Sequence, residues 1–224
     1  MIYKTTKDFQ NAVLDKITFK PYKNDNCIIY RNETRPELGY FIKYSREGYY
    51  NFEIGDFTIP RDFSLSFHHN EALIRFGIVY KGTTHFEIEN SPVSSFTPSS
   101  FLVNEKALKG TQNWKKGQHF HGAEITIYKR YFDEINKPNY PNSIDSYSFT
   151  DNYTYNYLPI DISSILQNLK SMAERNLLTP LYLESKILES IALLSNELYS
   201  SPQNAFTNQL NCNEICIGTN RTIS

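Results

Sequence analysis

The residues with the plainest chemical capacity lie in Gly117-Gln118-His119-Phe120-His121-Gly122-Ala123-Glu124. Two histidines one residue apart point to the same side of a strand, and a carboxylate follows closely. Imidazole with carboxylate suits zinc, iron or manganese. One reading is therefore a metal-dependent enzyme using His119, His121 and Glu124. The other has both histidines lining a polar pocket or facing solvent. Arg75 interrupts the apolar run from Leu73 to Tyr80. A buried guanidinium must be paired or must meet an anion. It is placed either to grip a carboxylate or phosphate, or to pair with Glu53, Glu87 or Glu89 across a sheet. His85 opens a strand, and the adjacent His68 and His69 must face opposite ways. Trp114 is the only tryptophan, available to stack on a ligand or to close a barrel mouth by packing.

Other chemistry has no foothold. Cys212 and Cys216 lie in a polar tail without companions at zinc spacing. No Gly-rich phosphate loop, Gly-x-Ser-x-Gly elbow or His-Glu-x-x-His motif occurs. That counts against most hydrolases, kinases and dehydrogenases.

The elements that must position these residues divide the chain in three. Residues 1–145 read as short strands between turn clusters. Tyr50, Phe52 and Ile54 share one face, and Phe63-Ser64-Leu65-Ser66-Phe67 alternates strictly. The run Leu73–Tyr80, the turn at Gly82 and the alternating His85–Glu89 read as a hairpin. Phe101–Val103 and Glu124–Tyr128 are further strands. Many strands without intervening helices predict an antiparallel sandwich or barrel. Residues 146–199 change character. Asp161 or Ser163 can cap a helix bearing Ile162, Ile165, Leu166, Leu169 and Met172, and Asn176–Pro180 breaks it. A second helix from about Leu181 to Tyr199 sets Leu181, Glu184, Ile187, Leu188, Ile191, Leu194 and Leu198 on one broad face. Residues 200–224 are polar and aperiodic, a tail expected to be disordered.

Composition bounds the function. Of 224 residues, 40% are hydrophobic and 21% charged, an ordinary globular balance. The 17 Tyr and 15 Phe favour pleated, half-buried surfaces. A net charge of −1 advertises no nucleic-acid partner. The start of the chain lacks a signal-peptide pattern, and no apolar run approaches membrane-span length. Three cysteines make no disulfide framework, which predicts a cytoplasmic protein.

Two families come into view. Metal cupins resemble the His119–Glu124 segment, but the spacing from Gly117 is short, Glu124 is one residue too close, and no later strand supplies a final histidine. The succession Phe57-Thr58-Ile59-Pro60 to Phe67, then Ile74–Tyr80, then Phe101–Gly122, resembles the N-terminal sensor domain of AraC-family regulators. Asp151–Tyr155, Leu158-Pro159 and the helix from Leu181 to Glu189 resemble that family's linker helices. The resemblance covers residues 40–199. It implies an α+β fold, a cupin-like antiparallel β-barrel or sandwich followed by a helical hairpin. It implies a small-molecule effector held in the barrel, helices that dimerise, and a DNA-binding domain for which no room follows residue 199.

The expectations are accordingly specific. Residues 1–145 sense a ligand, with Phe67, Phe76, Trp114 and Tyr128 lining the site and Arg75 and His85 as polar fixers. Ile187, Leu188, Ile191, Leu194 and Leu198 form a homodimer seam, or a heterodimer seam with a full-length regulator. No cofactor, resident metal, membrane contact or direct DNA binding by this chain alone is expected.

Overall fold

The computed structural model describes residues 1–89, 94–96, 98–144, 153–155 and 158–200. Its elements in chain order begin with β1 (Ile2–Tyr3), α1 (Thr6–Lys16), β2 (Lys20–Lys23), β3 (Ile28–Arg31), β4 (Gly39–Arg46) and β5 (Tyr50–Thr58). Then come β6 (Phe63–His68), β7 (Ala72–Lys81), β8 (Thr84–Ile88), β9 (Ser94–Phe96), β10 (Ser99–Lys106), β11 (Lys109–Trp114) and β12 (His119–Tyr128). A short helical link, α2 (Lys129–Tyr131) to α3 (Lys137–Asn139), leads on to β13 (Tyr153–Tyr155), α4 (Ile160–Glu174) and α5 (Pro180–Ser200). The expected disordered tail lies outside the described residues.

Among the described residues the strands make two sheets. The larger has the order β13-β10-β7-β12-β5-β4-β3-β2 and the smaller β1-β6-β11-β8-β9. All pairings are antiparallel except β1 with β6. This is the expected α+β arrangement, an antiparallel sandwich followed by two helices.

Alternation decides which side of the large sheet each residue serves. On one face Phe41, Phe57 and Phe120 meet Leu65 and Trp114 of the small sheet, together with Ala12, Val13 and Leu14 of α1. This is the interior of the sandwich. On the other face Ile42, Tyr44, Phe52, Ile54, Ile74, Phe76, Leu102, Ile125 and Ile127 form one continuous core with Ile162, Leu166 and Leu169 of α4 and Ile187, Ile191 and Leu194 of α5. The helical hairpin is thus fastened to the outside of the large sheet rather than standing apart.

Three local expectations change. The run Leu73–Tyr80 does not form a hairpin with His85–Glu89: β7 pairs with β10 and β12, whereas β8 pairs with β11 and β9 in the other sheet. Gly82 makes that crossing at φ +95°, where an added Cβ would stand 2.2 Å from the His119 carbonyl oxygen. Residues 6–16 form a helix where strands were expected. Its signal was Thr5-x-x-Asp8: the Thr5 hydroxyl accepts from the Asp8 backbone N–H at 3.1 Å. And α4 starts at Ile160 after Pro159, with no side-chain cap from Asp161 or Ser163. Its end is as read. Asn176 takes φ +56°, its N–H bonds the Ala173 carbonyl and the Leu177 N–H bonds that of Met172, a Schellman closure that turns the chain into α5. Among the described residues no helix is long and apolar enough to cross a membrane.

Candidate functional site

The interior face of the large sheet carries a row of charges across its central strands, where the outer face is apolar beneath the helices. Register sets Lys43 beside Glu53, Glu53 beside Glu124, and Arg75 between Val103 and Thr126. Lys43 and Glu53 form an ion pair at 2.8 Å. Gln10, reaching in from α1, closes it: its amide donates to Glu53 at 2.6 Å and accepts from Lys43 at 2.6 Å. Arg75 is shared between two acids, with Glu105 at 3.5 Å and Glu124 at 3.8 Å. Asn51 donates to the Tyr128 hydroxyl at 3.1 Å, and Thr126 is buried beside them.

Burial and access together mark Arg75 and Glu124 as the least enclosed charges of this row. β7 and β12 are central strands, flanked on both sides, and Arg75 and Glu124 project from their inner faces. Their side chains nevertheless keep 21% and 29% of their surface accessible. Gly77 permits it: a Cβ there would meet the Glu124 Cβ and the Phe101 ring, each at 2.8 Å, so only glycine lets Glu124 stand in this register. A separate open depression of about 640 Å³ lies near the end of α4, lined by residues including Ile29, Arg31, Tyr40 and Glu174, and contains none of these groups.

The electrostatics follow from burial and neighbours. Burial opposes the charge on Arg75, but Glu105, Glu124 and Glu53 more than offset it and hold the guanidinium firmly protonated. Glu124 is pushed up to about 7, first by burial and then by the Glu53 and Glu105 charges, against the pull of Arg75. His69, at the end of β6 against Phe9 and Phe67, is 6% exposed with neither ring nitrogen partnered. Burial and the nearby Arg75 charge lower it to about 4, so it stays neutral.

The structure brings some expected residues together and separates others. Arg75 and Tyr128 face the interior, but Arg75 pairs with Glu105 and Glu124, not with Glu53, Glu87 or Glu89 as the sequence suggested. Phe67 is buried on the inward side of β6. Phe76 is fully buried on the opposite face, under the helices, so it is no pocket residue. His85 is exposed on β8 and does not fix a ligand inside. Trp114 is 5% exposed, wedged between Phe57 and Phe63 at centroid distances of 6.3 and 6.1 Å, a packing position without a free stacking face. Lys43, Glu105 and Gln10 were missed, and His69, read from the sequence only as facing away from His68, is buried. The available signal was one charged residue on the same side of each of five strands.

The alternative metal site does not assemble. His119 and His121 are odd-numbered positions of β12 and Glu124 is even, so they lie on opposite faces of one strand. His119 meets Asp56 at 3.0 Å and Thr58 at 2.9 Å, and His121 packs on Tyr80. Among the described residues no group of three His, Cys, Asp or Glu is arranged to hold a metal ion. The expected dimer seam is also occupied differently. Ile187, Ile191 and Leu194 are buried in the chain's own core, because the outer face of the sheet supplies the partner surface. Leu188 is half-buried, and the side chain of Leu198 lies outside what the structure describes.

The structure is a two-sheet antiparallel sandwich with charged residues on the inner face of its large sheet and a helical hairpin packed on the outside. The family model for the regulatory protein PchR N-terminal domain matches residues 51–210. The chain belongs to this family, the N-terminal domains of AraC-type transcriptional regulators, as the resemblance implied. Among solved structures it is similar to apo ToxT from Vibrio cholerae, with 15% identity and a TM-score of 0.42 over 71% of this chain; it spans 60% of that one. It is also similar to an RmlC-like cupin family protein with a double-stranded β-helix fold from Methanocaldococcus jannaschii, with 10% identity and a TM-score of 0.29 over 49% of this chain and 87% of that one. A cupin-2 domain from Rhodospirillum rubrum is comparable, with 16% identity and a TM-score of 0.30 over 50% of this chain and 78% of that one. No curated protein matches the sequence.

Proposed function

We propose that this chain senses a small-molecule effector between its two sheets and passes the signal to its helical hairpin. The observation that supports this is the division of labour within β7 and β12. Arg75, Glu124 and Thr126 face the interior space, while their neighbours Ile74, Phe76, Ile125 and Ile127 form the floor on which α4 and α5 rest. A close-packed core does not absorb a strand displacement on one face alone. An effector that binds two helix arrangements unequally therefore shifts the balance between them.

In this reading the role is regulatory rather than catalytic, the location cytoplasmic, and the chain does not grip DNA by itself. The hairpin addresses a second copy, or a full-length regulator, through the uncovered side of α5. Leu181, 82% exposed, and the exposed Ala192 recur there at helical spacing, with Leu188 at the stripe's edge, half-buried against the chain's own core. This stripe replaces the buried Ile187, Ile191 and Leu194 as the seam.

The test is a thermal-shift screen over fatty acids, sugars, bile acids and siderophores, repeated on Arg75→Met. A true effector stabilises the parent and changes at least about tenfold in affinity with the variant, roughly 1.4 kcal/mol, weaker if it is anionic and tighter if it is cationic. A ligand that binds both equally sits elsewhere and overturns the interior assignment. Light scattering at micromolar concentration checks the helices: Leu181→Glu with Leu188→Glu should give soluble monomer, and a monomeric parent defeats the dimer.

A further inference from the structure

The interior's charge inventory bears on the kind of molecule it accepts, and this inference rests on the interior being the effector site. Five strands contribute the groups that face Glu124: Lys43 from β4, Glu53 from β5, Arg75 from β7, Glu105 from β10, and Glu124 itself with Tyr128 from β12. Gln10 comes from α1, and His69 flanks β6 at the same end. Two cations thus face three carboxylates. Lys43 is committed to Glu53 at 2.8 Å and to Gln10 at 2.6 Å. Among the described residues Arg75 is the cation within ion-pair range of both Glu105 and Glu124, and stands closer to Glu105, while Lys43 acts on Glu124 only from farther away. Among the described residues the 3.8 Å approach of Arg75 is the only polar contact Glu124 has, and Glu124 is also the more accessible acid. An unfilled acceptor therefore looks into the space. A second, independent feature points the same way. His69 is 6% exposed, and both its ring nitrogens lack partners. Unpartnered polar atoms at that depth are costly unless something completes them.

We propose that the interior takes an organic cation, an amine or amidine head seated on Glu124, and disfavours carboxylates. A carboxylate entering here would meet Glu105 and Glu53 as well as Glu124, while the guanidinium it seeks is already engaged by two acids. A cation instead restores neutrality and supplies the N–H donors that Glu124 lacks. Neutral His69 can then accept from, or donate to, a hydroxyl or amide elsewhere on the ligand. The sequence alone pointed the other way, since an arginine within an apolar strand suggests an anion site. The two glutamates around it reverse that sign.

Binding is also linked to protons. Glu124, raised by its surroundings to about 7, gives up a proton when a cation arrives. Affinity for a permanently charged amidine should therefore weaken about tenfold per pH unit below pH 7 and level off above it.

The probes are benzamidine, benzyl alcohol and benzoate, matched in ring and size, titrated calorimetrically into the full chain at pH 6 and pH 8 in two buffers of different ionisation enthalpy. The expected result is binding of benzamidine, tighter at pH 8, with proton release at pH 6 and an affinity at least about tenfold weaker in Glu124→Gln. Benzoate should bind at least about tenfold more weakly than benzamidine. Glu53→Gln controls for a general loss of negative charge: it should retain a pH dependence, displaced toward lower pH because the Glu53 charge no longer raises Glu124, whereas Glu124→Gln removes it. If benzoate or benzyl alcohol binds best and Arg75→Met abolishes that binding, the cation assignment falls while the interior remains the effector site. If benzamidine binds with the same affinity in Glu124→Gln, the assignment falls too. If none of the probes binds and the thermal-shift screen also yields no Arg75-dependent ligand, both readings fall.

Discussion

The two faces of the large sheet are made by the same strands and could hardly differ more. The outer face is a conventional core: Ile74, Phe76, Ile125 and Ile127 are at most 1% exposed beneath α4 and α5. The inner face, although enclosed by a second sheet, holds Lys43, Glu53, Arg75, Glu105 and Glu124. Burying charges costs free energy and is tolerated when they are mutually paired. Here the pairing is close for Lys43 and Glu53, at 2.8 Å, and loose around Glu124. The contrast teaches that the outer face holds the fold together while the inner face gives up some stability for an incompletely satisfied polar space, a common signature of a binding site.

The comparison can be broken by substitution. The largest expected effect is on the outer face: Phe76→Ala should destabilise by about 3–5 kcal/mol in urea, with no pH dependence of its own. An effect below about 1 kcal/mol would mean that the helices do not pack there as described. Arg75→Met should cost about 3 kcal/mol at pH 8, because it strands Glu105 and Glu124. The cost should shrink near pH 5, where the carboxylates can take up protons; a pH-independent cost would contradict the shared ion pair.

Two opposed titrations sharpen the picture. Glu124 is raised from 4.5 to about 7 on folding, so its contribution is fully present below about pH 4.5 and is lost as pH rises through about 7. His69 is lowered from 6.5 to about 4, so its contribution is present above about pH 6.5 and is lost as pH falls through about 4. Between pH 4.5 and 6.5 the two slopes oppose each other. Glu124→Gln should therefore leave stability rising with pH in that window, and His69→Gln should leave it falling, each by on the order of 2 kcal/mol across the range. Identical pH profiles for the parent and both variants would refute these environments. The smallest effect belongs to the sheet's outer rim. His119→Ala removes a partly exposed contact with Asp56 and should cost less than about 1 kcal/mol while leaving effector affinity unchanged. A tenfold loss of affinity would return the histidines to the site.

Much of the architecture was legible. Strict alternation in Phe63–Phe67 and around Glu124 announced strands, and the 3.6-residue apolar period announced α4 and α5, because both signals are local. Alternation also contained the answer to the metal question, since positions 119 and 121 cannot share a face of one strand with 124. Arg75 stood out because an apolar strand rarely carries a guanidinium without purpose. The short α1 was obscured by its polar composition, its Thr5 cap being the only strong local mark.

What the sequence determined by itself was periodicity: which residues share a face, where helices end, and that charged positions recur within apolar strands. Only the tertiary structure decided what each face meets. The apolar stripe of Ile187, Ile191 and Leu194 required burial, but a sheet and a second copy satisfy that requirement equally well, and hydrophobic burial is non-directional. Likewise Phe76 and Arg75 were bound to point opposite ways, while the side that became the interior depended on where the small sheet and the hairpin packed. The choice of Glu105 and Glu124 as partners for Arg75 came from strand order, which brings β10 and β12 to either side of β7 from distant parts of the chain. Pairings of that range leave no local trace, because they are selected by the free energy of the assembled sheets rather than by any segment's own preference.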